Sequence, residues 1–207
     1  MGVVAVTDAN IFIDLFKMNL LGLLFRMGLE VHTTREILEE LYEEQQAMLL
    51  KTGQLAILDL SEEQWKEINK MSFSRRFSEA DRSVLGVAYI LKAAILTNEK
   101  LMRRKATQWK LEVHGILWLL DCFVEKDLLS PQTATKKLEH LMETILSAVT
   151  SSLSENSLTP LYASLRQLSA AAQRPKMARR DGPVGFNLAC YRSPAGLSAF
   201  CDIPFWL

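Results

Sequence analysis

The chain has 207 residues, 49% of them apolar and 23% charged, with 24 basic and 24 acidic side chains. That profile is the one of a globular protein, and the length is enough for one domain with a full core and an appendage. The balance is uneven: residues 151–207 carry six basic and three acidic residues, which leaves 18 and 21 in residues 1–150, and so mildly acidic a body excludes a coat for nucleic acid built on a broad basic face.

In chain order, residues 3–6 form a continuous apolar run, the pattern of a strand buried on both faces. Residues 9–17 and 20–27 suit short helices, and 29–32 a second strand. Residues 34–51 read as one helix with Ile37, Leu38, Leu41, Met48 and Leu49 on one side. Residues 55–60 suit an edge strand or a loop. Helices are expected over 61–71 and 78–91, a buried strand over 93–97, a helix over 99–106 and a short strand over 111–113. Helices over 114–126 and 131–142 close the series. Strands that alternate with helices imply a parallel sheet flanked by helices.

The character changes near residue 147. Five of the six prolines lie beyond residue 150, and 147–169 is rich in serine. Residues 1–147 are therefore expected to form the α/β domain, and 148–207 an irregular extension, poorly ordered or weakly docked. Cys122, Cys190 and Cys201 show no CxxC spacing and offer neither a zinc site nor a disulfide framework, which suits a cytoplasmic setting. No apolar stretch is long enough to span a bilayer.

The carboxylates carry the functional signal. Asp8 follows the first strand directly, where parallel sheets gather functional groups. It also suits the N-cap of the next helix. Asp81, in "SEADRSVLGVA", falls within the apolar face made by Ala80, Val84, Val87, Ala88 and Leu91. A charge there is costly unless paired or bound to metal, and Ser78-x-x-Asp81 also reads as a capping box. Thr33-x-x-Glu36 has the same pattern. Glu39 and Glu40 flank the apolar stripe of their helix, and periodicity does not choose between them. "ILTNEK" repeats the opening arrangement, with Thr97, Asn98 and Glu99 at another strand end. Its local alternative is a helix N-terminus capped by Asn98.

Three or four carboxylates converging in one cleft repel unless a cation neutralises them, and hard oxygen ligands select Mg²⁺ or Mn²⁺. Other chemistries fit less well. There is no GxGxxG, no phosphate loop and no GxSxG. His32, His114 and His140 are isolated and suit structural or surface roles. Haloacid-dehalogenase-like phosphotransfer needs a second aspartate where this chain has Asn10.

Together, "VTDANIFIDL", "TTREILEEL", "SEADRSVLGVA" and "ILTNEKLMRRKA" resemble the PIN-domain ribonucleases, and in particular the VapC-type toxins of bacterial toxin–antitoxin pairs, over about residues 3–145. The resemblance implies a three-layer αβα sandwich with a central, mainly parallel sheet. It implies Mg²⁺- or Mn²⁺-dependent hydrolysis of single-stranded RNA, leaving 5′-phosphate and 3′-hydroxyl ends. Asp8, Glu40, Asp81 and Glu99 take the places of the family's metal-binding catalytic acids. At the fourth place the family usually has aspartate, so Glu99 is one methylene longer, which can slow catalysis. Asn10, Thr97 and Asn98 would support the site. Arg75 and Arg76, with Arg103, Arg104 and Lys105, would guide RNA phosphates. An antitoxin protein and a homodimer are the partners implied. The second function class is a PIN-fold binding or scaffold module with weak catalysis.

Overall fold

The computed structural model describes residues 3–150, so nearly all of the expected extension, 148–207, lies outside the described residues. Within them the chain divides between Leu129 and Ser130 into two units.

The first unit is built on five strands: β1 (Val3–Thr7), β2 (Leu29–Thr34), β3 (Leu55–Leu58), β4 (Ala94–Leu96) and β5 (Val113–His114). Their order across the sheet is β3-β2-β1-β4-β5, and every pairing is parallel. The eight helices of this unit are α1 (Ala9–Lys17), α2 (Leu21–Phe25), α3 (Arg35–Glu39), α4 (Glu43–Lys51), α5 (Glu62–Lys70), α6 (Glu79–Leu91), α7 (Lys100–Gln108) and α8 (Ile116–Glu125). They cover both faces of the sheet in an αβα sandwich. Helix α6 packs on β1, β2 and β4 and touches α3, α5 and α7, whereas α1 touches α2, α4 and α8. The expected alternation is present, and β3 is an edge strand. The second unit contributes α9 (Pro131–Thr150). No helix among the described residues is long and apolar enough to cross a membrane.

The strand order has one functional consequence. The chain reverses direction across the sheet between β1 and β4, and the crevice beyond their carboxyl ends is where open α/β sheets bind ligands. Asp8 follows β1 and Thr97 follows β4, on the two sides of that crevice.

Residues 34–51 do not form one helix. Helix α3 stops at Glu39, and Tyr42, in an extended conformation (φ −64°, ψ 150°), starts α4. The break is held locally: Tyr42 N–H donates to Gln45 Oε1 at 3.1 Å, and Gln46 Nε2 donates to the Leu41 carbonyl at 2.8 Å. A straight helix would bury Leu41, Met48 and Leu49 on one side. The bend buries Leu41 and Leu49 separately and leaves Met48 47% exposed. It also makes Glu40 the C-cap of α3, at a corner rather than along a helix face.

The capping box expected for Thr33 and Glu36 is absent. Thr34 occupies the N-cap position, without a side-chain cap bond. Both threonines are fully buried, and the need to satisfy buried hydroxyls outweighs local capping. Thr33 Oγ1 donates to the Thr7 carbonyl at 3.0 Å, and Thr34 Oγ1 meets Ser83 Oγ at 2.6 Å. Ser83 Oγ itself donates to the Ala80 carbonyl at 2.7 Å, so the Thr34 hydroxyl is the donor of the pair. This relay ties the end of β2 to the first turn of α6.

Helix α6 approaches α5 closely because Gly86 has no side chain. A Cβ there would lie 2.5 Å from Cγ1 and 2.7 Å from Cδ1 of Ile68, which is itself fully buried. Gly86→Ala gains about 1 kcal/mol of helix propensity, against roughly 1–3 kcal/mol of overpacking. A net loss of about 1 kcal/mol is expected, read as a lower urea midpoint at unchanged slope.

Candidate functional site

Asp8 is 3% exposed. The cap expected at Asp8 is present, and its two oxygens divide their partners. Oδ1 accepts from Ile11 N–H at 3.2 Å, capping α1, and Oδ2 accepts from the Thr97 hydroxyl across the crevice. Burial, with the charges of Glu99 and Asp81 behind it, pushes the Asp8 carboxyl up to about 7, against the lowering effect of those two hydrogen bonds. Thr97 is fully buried, and its hydroxyl also accepts from Glu99 N–H at 3.0 Å. A single side chain thus ties the tip of β1 to the turn after β4.

Asp81 sits in the first turn of α6, and the capping box is present. Its Oδ2 accepts from Ser78 N–H at 2.8 Å, and Ser78 Oγ accepts from Asp81 N–H at 3.0 Å. Ala80, Val84, Val87 and Ala88 are buried as expected, while Leu91 is 46% exposed. Capping does not exhaust the carboxylate, because Asp81 also acts on Asp8, Glu40 and Glu99. Glu40 is raised by partial desolvation and by the Asp81 charge. Glu99 is pushed up to about 7 by desolvation, by the Asp81 charge and by a hydrogen bond to the Asp81 carboxyl, with Glu40 adding a smaller repulsion. Two carboxyls share a hydrogen bond only when one of them holds a proton.

Asp8, Glu40, Asp81 and Glu99, from four separate segments, therefore act on one another electrostatically. All four are hard oxygen donors, the kind that suits a divalent cation. They do not form a closed cage: among the described residues, no three Asp, Glu, His or Cys side chains stand together around one point. The donor set fits such an ion in its chemistry.

The supporting residues divide. Asn10 is half-buried at the start of α1. Asn98 does not cap α7, whose N-cap position is Glu99. Its side chain instead turns inward. Asn98 Nδ2 donates to Asp14 Oδ2 at 2.8 Å, and its Oδ1 accepts from Ile116 N–H at 2.9 Å. Arg75, Arg76 and Arg104 are exposed, on residues 72–77 before α6 and on α7. Arg103 is half-buried and donates to the Thr97 carbonyl at 2.9 Å, which braces the turn after β4. Lys105 lies 4.8 Å from the Trp109 ring centre and 5.9 Å from that of Phe73. His114 stacks on Trp118 with ring centres 4.0 Å apart. Burial and the Arg103 charge push it down to about 4, so it is neutral at physiological pH and structural.

The reading of the sequence missed Asp14. It is 2% exposed on α1, and burial raises its carboxyl to about 6, against the Lys17 charge and the Asn98 hydrogen bond. A signal was present: Asp14 lies three residues after Ile11 and one before Leu15, on the buried side of a nine-residue helix.

The DUF3368 family model, described as a PIN domain, matches residues 4–158, three quarters of the chain. No curated protein matches the chain.

Proposed function

The chain belongs to the PIN-domain family, whose fold is that of a nuclease, and from that premise we propose that it is a Mg²⁺- or Mn²⁺-dependent endoribonuclease acting on single-stranded RNA. The observation that carries this reading is the mutual electrostatic coupling of Asp8, Glu40, Asp81 and Glu99 at the switch point of the sheet. Asp8, Glu40 and Glu99 are raised there by burial and by neighbouring carboxylates, as happens where no positive charge is present, and clustered perturbed acids mark functional sites.

Asp8, Glu40, Asp81 and Glu99 are the residues that would hold the ion. A divalent cation bound by them supplies charge neutralisation at the scissile phosphate and a lowered pKa for water. Thr97 holds the Asp8 carboxylate in orientation through its hydroxyl. Glu99, raised by desolvation and by the Asp81 charge, would be returned to its ionised, ligating form by such an ion. Arg75, Arg76 and Arg104 are exposed cations suited to RNA phosphates. A toxin role, with an antitoxin protein that blocks the acidic cleft and with homodimer formation, extends the proposal through the VapC-type resemblance.

The test is cleavage of an unstructured RNA by the full chain with Mn²⁺, with Mg²⁺ and with EDTA. Cutting with either ion and none with EDTA is the expected result. That no closed carboxylate cage stands among the described residues favours a second reading, a binding module with weak catalysis. Mn²⁺ binding by calorimetry without any cutting would establish that reading instead.

A further inference from the structure

We propose that Asp14 is a positioning residue of the acidic cleft, fixing the Asn98 side chain and through it the turn that carries Thr97 and Glu99. The inference rests on the nuclease reading above.

The geometry at Asn98 leaves no freedom in how its amide is placed. Ile116 N–H can only donate, so the atom it meets 2.9 Å away must be the amide oxygen. The amide nitrogen then faces Asp14, whose Oδ2 is 2.8 Å from it. An ionised carboxylate can only accept, so it holds this orientation and opposes the flipped one. The surroundings allow no slack. A Cβ on Gly115 would lie 2.7 Å from Asn98 Oδ1, 3.3 Å from Arg103 Nη1 and 3.5 Å from the Thr97 carbonyl. Gly115 is therefore required by close approach, since its own φ of −124° suits any residue.

Three elements thus hold the turn after β4: α1 through Asp14, α7 through Arg103, and α8 through Ile116 N–H. The two residues flanking Asn98 are those whose placement matters to the chemistry. Thr97 bonds Asp8, and Glu99 lies within electrostatic reach of Asp81 and Glu40. A neutral acceptor would satisfy the Asn98 amide at lower cost, because a buried carboxylate is expensive to desolvate. The carboxylate offers what a neutral group lacks, a strong, acceptor-only anchor. Partners that orient a metal site's ligands from behind are worth about 10–100-fold in metal affinity or activity.

The test compares the full-length wild type with Asp14→Leu and Asp14→Asn. Three quantities are read: melting temperature, Mn²⁺ affinity by calorimetry without RNA, and kcat and KM for RNA cleavage. Asp14→Leu removes the acceptor and is expected to lose about 10–100-fold in Mn²⁺ affinity or kcat, with KM for RNA changed by no more than about twofold. Asp14→Asn keeps an amide oxygen that accepts from Asn98 but is no longer acceptor-only, and it is expected to lose clearly less than Asp14→Leu in both. A structural role alone would move the melting temperature and leave affinity and kcat of the folded fraction in place.

Wild-type affinity and kcat in folded Asp14→Leu would overturn the proposal. So would a loss in Asp14→Asn as large as in Asp14→Leu, since the acceptor would then be irrelevant. If Asp14→Leu does not fold, Asn98→Ala removes the same bond from the less buried side and carries the same expectation; full Mn²⁺ affinity in that variant overturns the proposal. A wild type that binds Mn²⁺ but cuts no RNA would defeat the nuclease reading, while the calorimetry still decides the role of Asp14.

Discussion

Asp8→Asn is expected to lower metal-dependent RNA cleavage by on the order of 10²–10³-fold and at the same time to raise the melting temperature of the metal-free protein. The two effects have one cause. Asp8 is buried, raised to about 7, and repelled by Glu99 and Asp81. Ionised and without a cation it is a liability to the fold. Asparagine keeps the cap, because its amide oxygen still accepts from Ile11 N–H, and its amide nitrogen can donate to the Thr97 hydroxyl. It removes the charge that an ion needs. A residue kept for stability would behave in the opposite way, with Asn lowering the melting temperature. Glu43→Gln, on an exposed position of α4, changes an acid of the same region and is expected to alter neither quantity. Single-turnover cleavage at saturating Mn²⁺, together with thermal melts in EDTA, checks both halves. Unchanged cleavage by Asp8→Asn would remove Asp8 from the catalytic centre.

How much of this was legible follows from which interactions are local. Asp8, Asp81 and Glu99 could be singled out because each signal sits in a few adjacent residues: an acid after an apolar strand, or an acid within an apolar helix face. Their convergence needed the sheet order, which rests on pairings between distant segments. β1 lies between β2 and β4, and nothing in residues 3–8 states this. Glu39 and Glu40 could not be separated by periodicity, because the helix they were assigned to breaks at Glu40. That break depends on local bonds from Tyr42 and Gln46, which no period of 3.6 contains. The capping box at Ser78 formed and the one at Thr33 did not, although the two look alike in sequence. Ser78 is exposed and can bond locally, whereas Thr33 and Thr34 are buried between elements and bond across them. Asp14 went unassigned for a different reason from the break: its partner, Asn98, is 84 residues away.

Without divalent metal, the melting temperature is expected to fall as pH rises from 5 to 8, and Mn²⁺ is expected to reverse the trend. In the folded state Asp8 moves from 3.8 to about 7, Glu99 from 4.5 to about 7 and Asp14 from 3.8 to about 6. A raised folded pKa means the native protein holds the proton more tightly than the unfolded chain. Its stabilising effect is complete below about pH 4 and is lost as pH climbs through the folded value. His114, lowered from 6.5 to about 4, works the other way: the neutral form is favoured in the fold, and stability is lost as pH falls from about 6.5 toward 4. The opposing effects meet in the acid range, so the decline is clearest between pH 6 and 8, where Asp8 and Glu99 titrate. With Glu99 only half buried and its contribution discounted accordingly, the fall amounts to roughly 5–10 °C between pH 5 and 8. Mn²⁺ binds the ionised acids, so it acts most at pH 8, where an excess of about 100-fold over its dissociation constant is worth about 2.7 kcal/mol. At pH 5 the same addition has little to bind, because protons already neutralise the cleft. Scanning calorimetry at fixed ionic strength, with Mn²⁺ against EDTA, reads both slopes. A metal-free melting temperature that rises from pH 6 to 8, or an Mn²⁺ effect equal at pH 5 and pH 8, would mean that the four acids do not share one cation-requiring site.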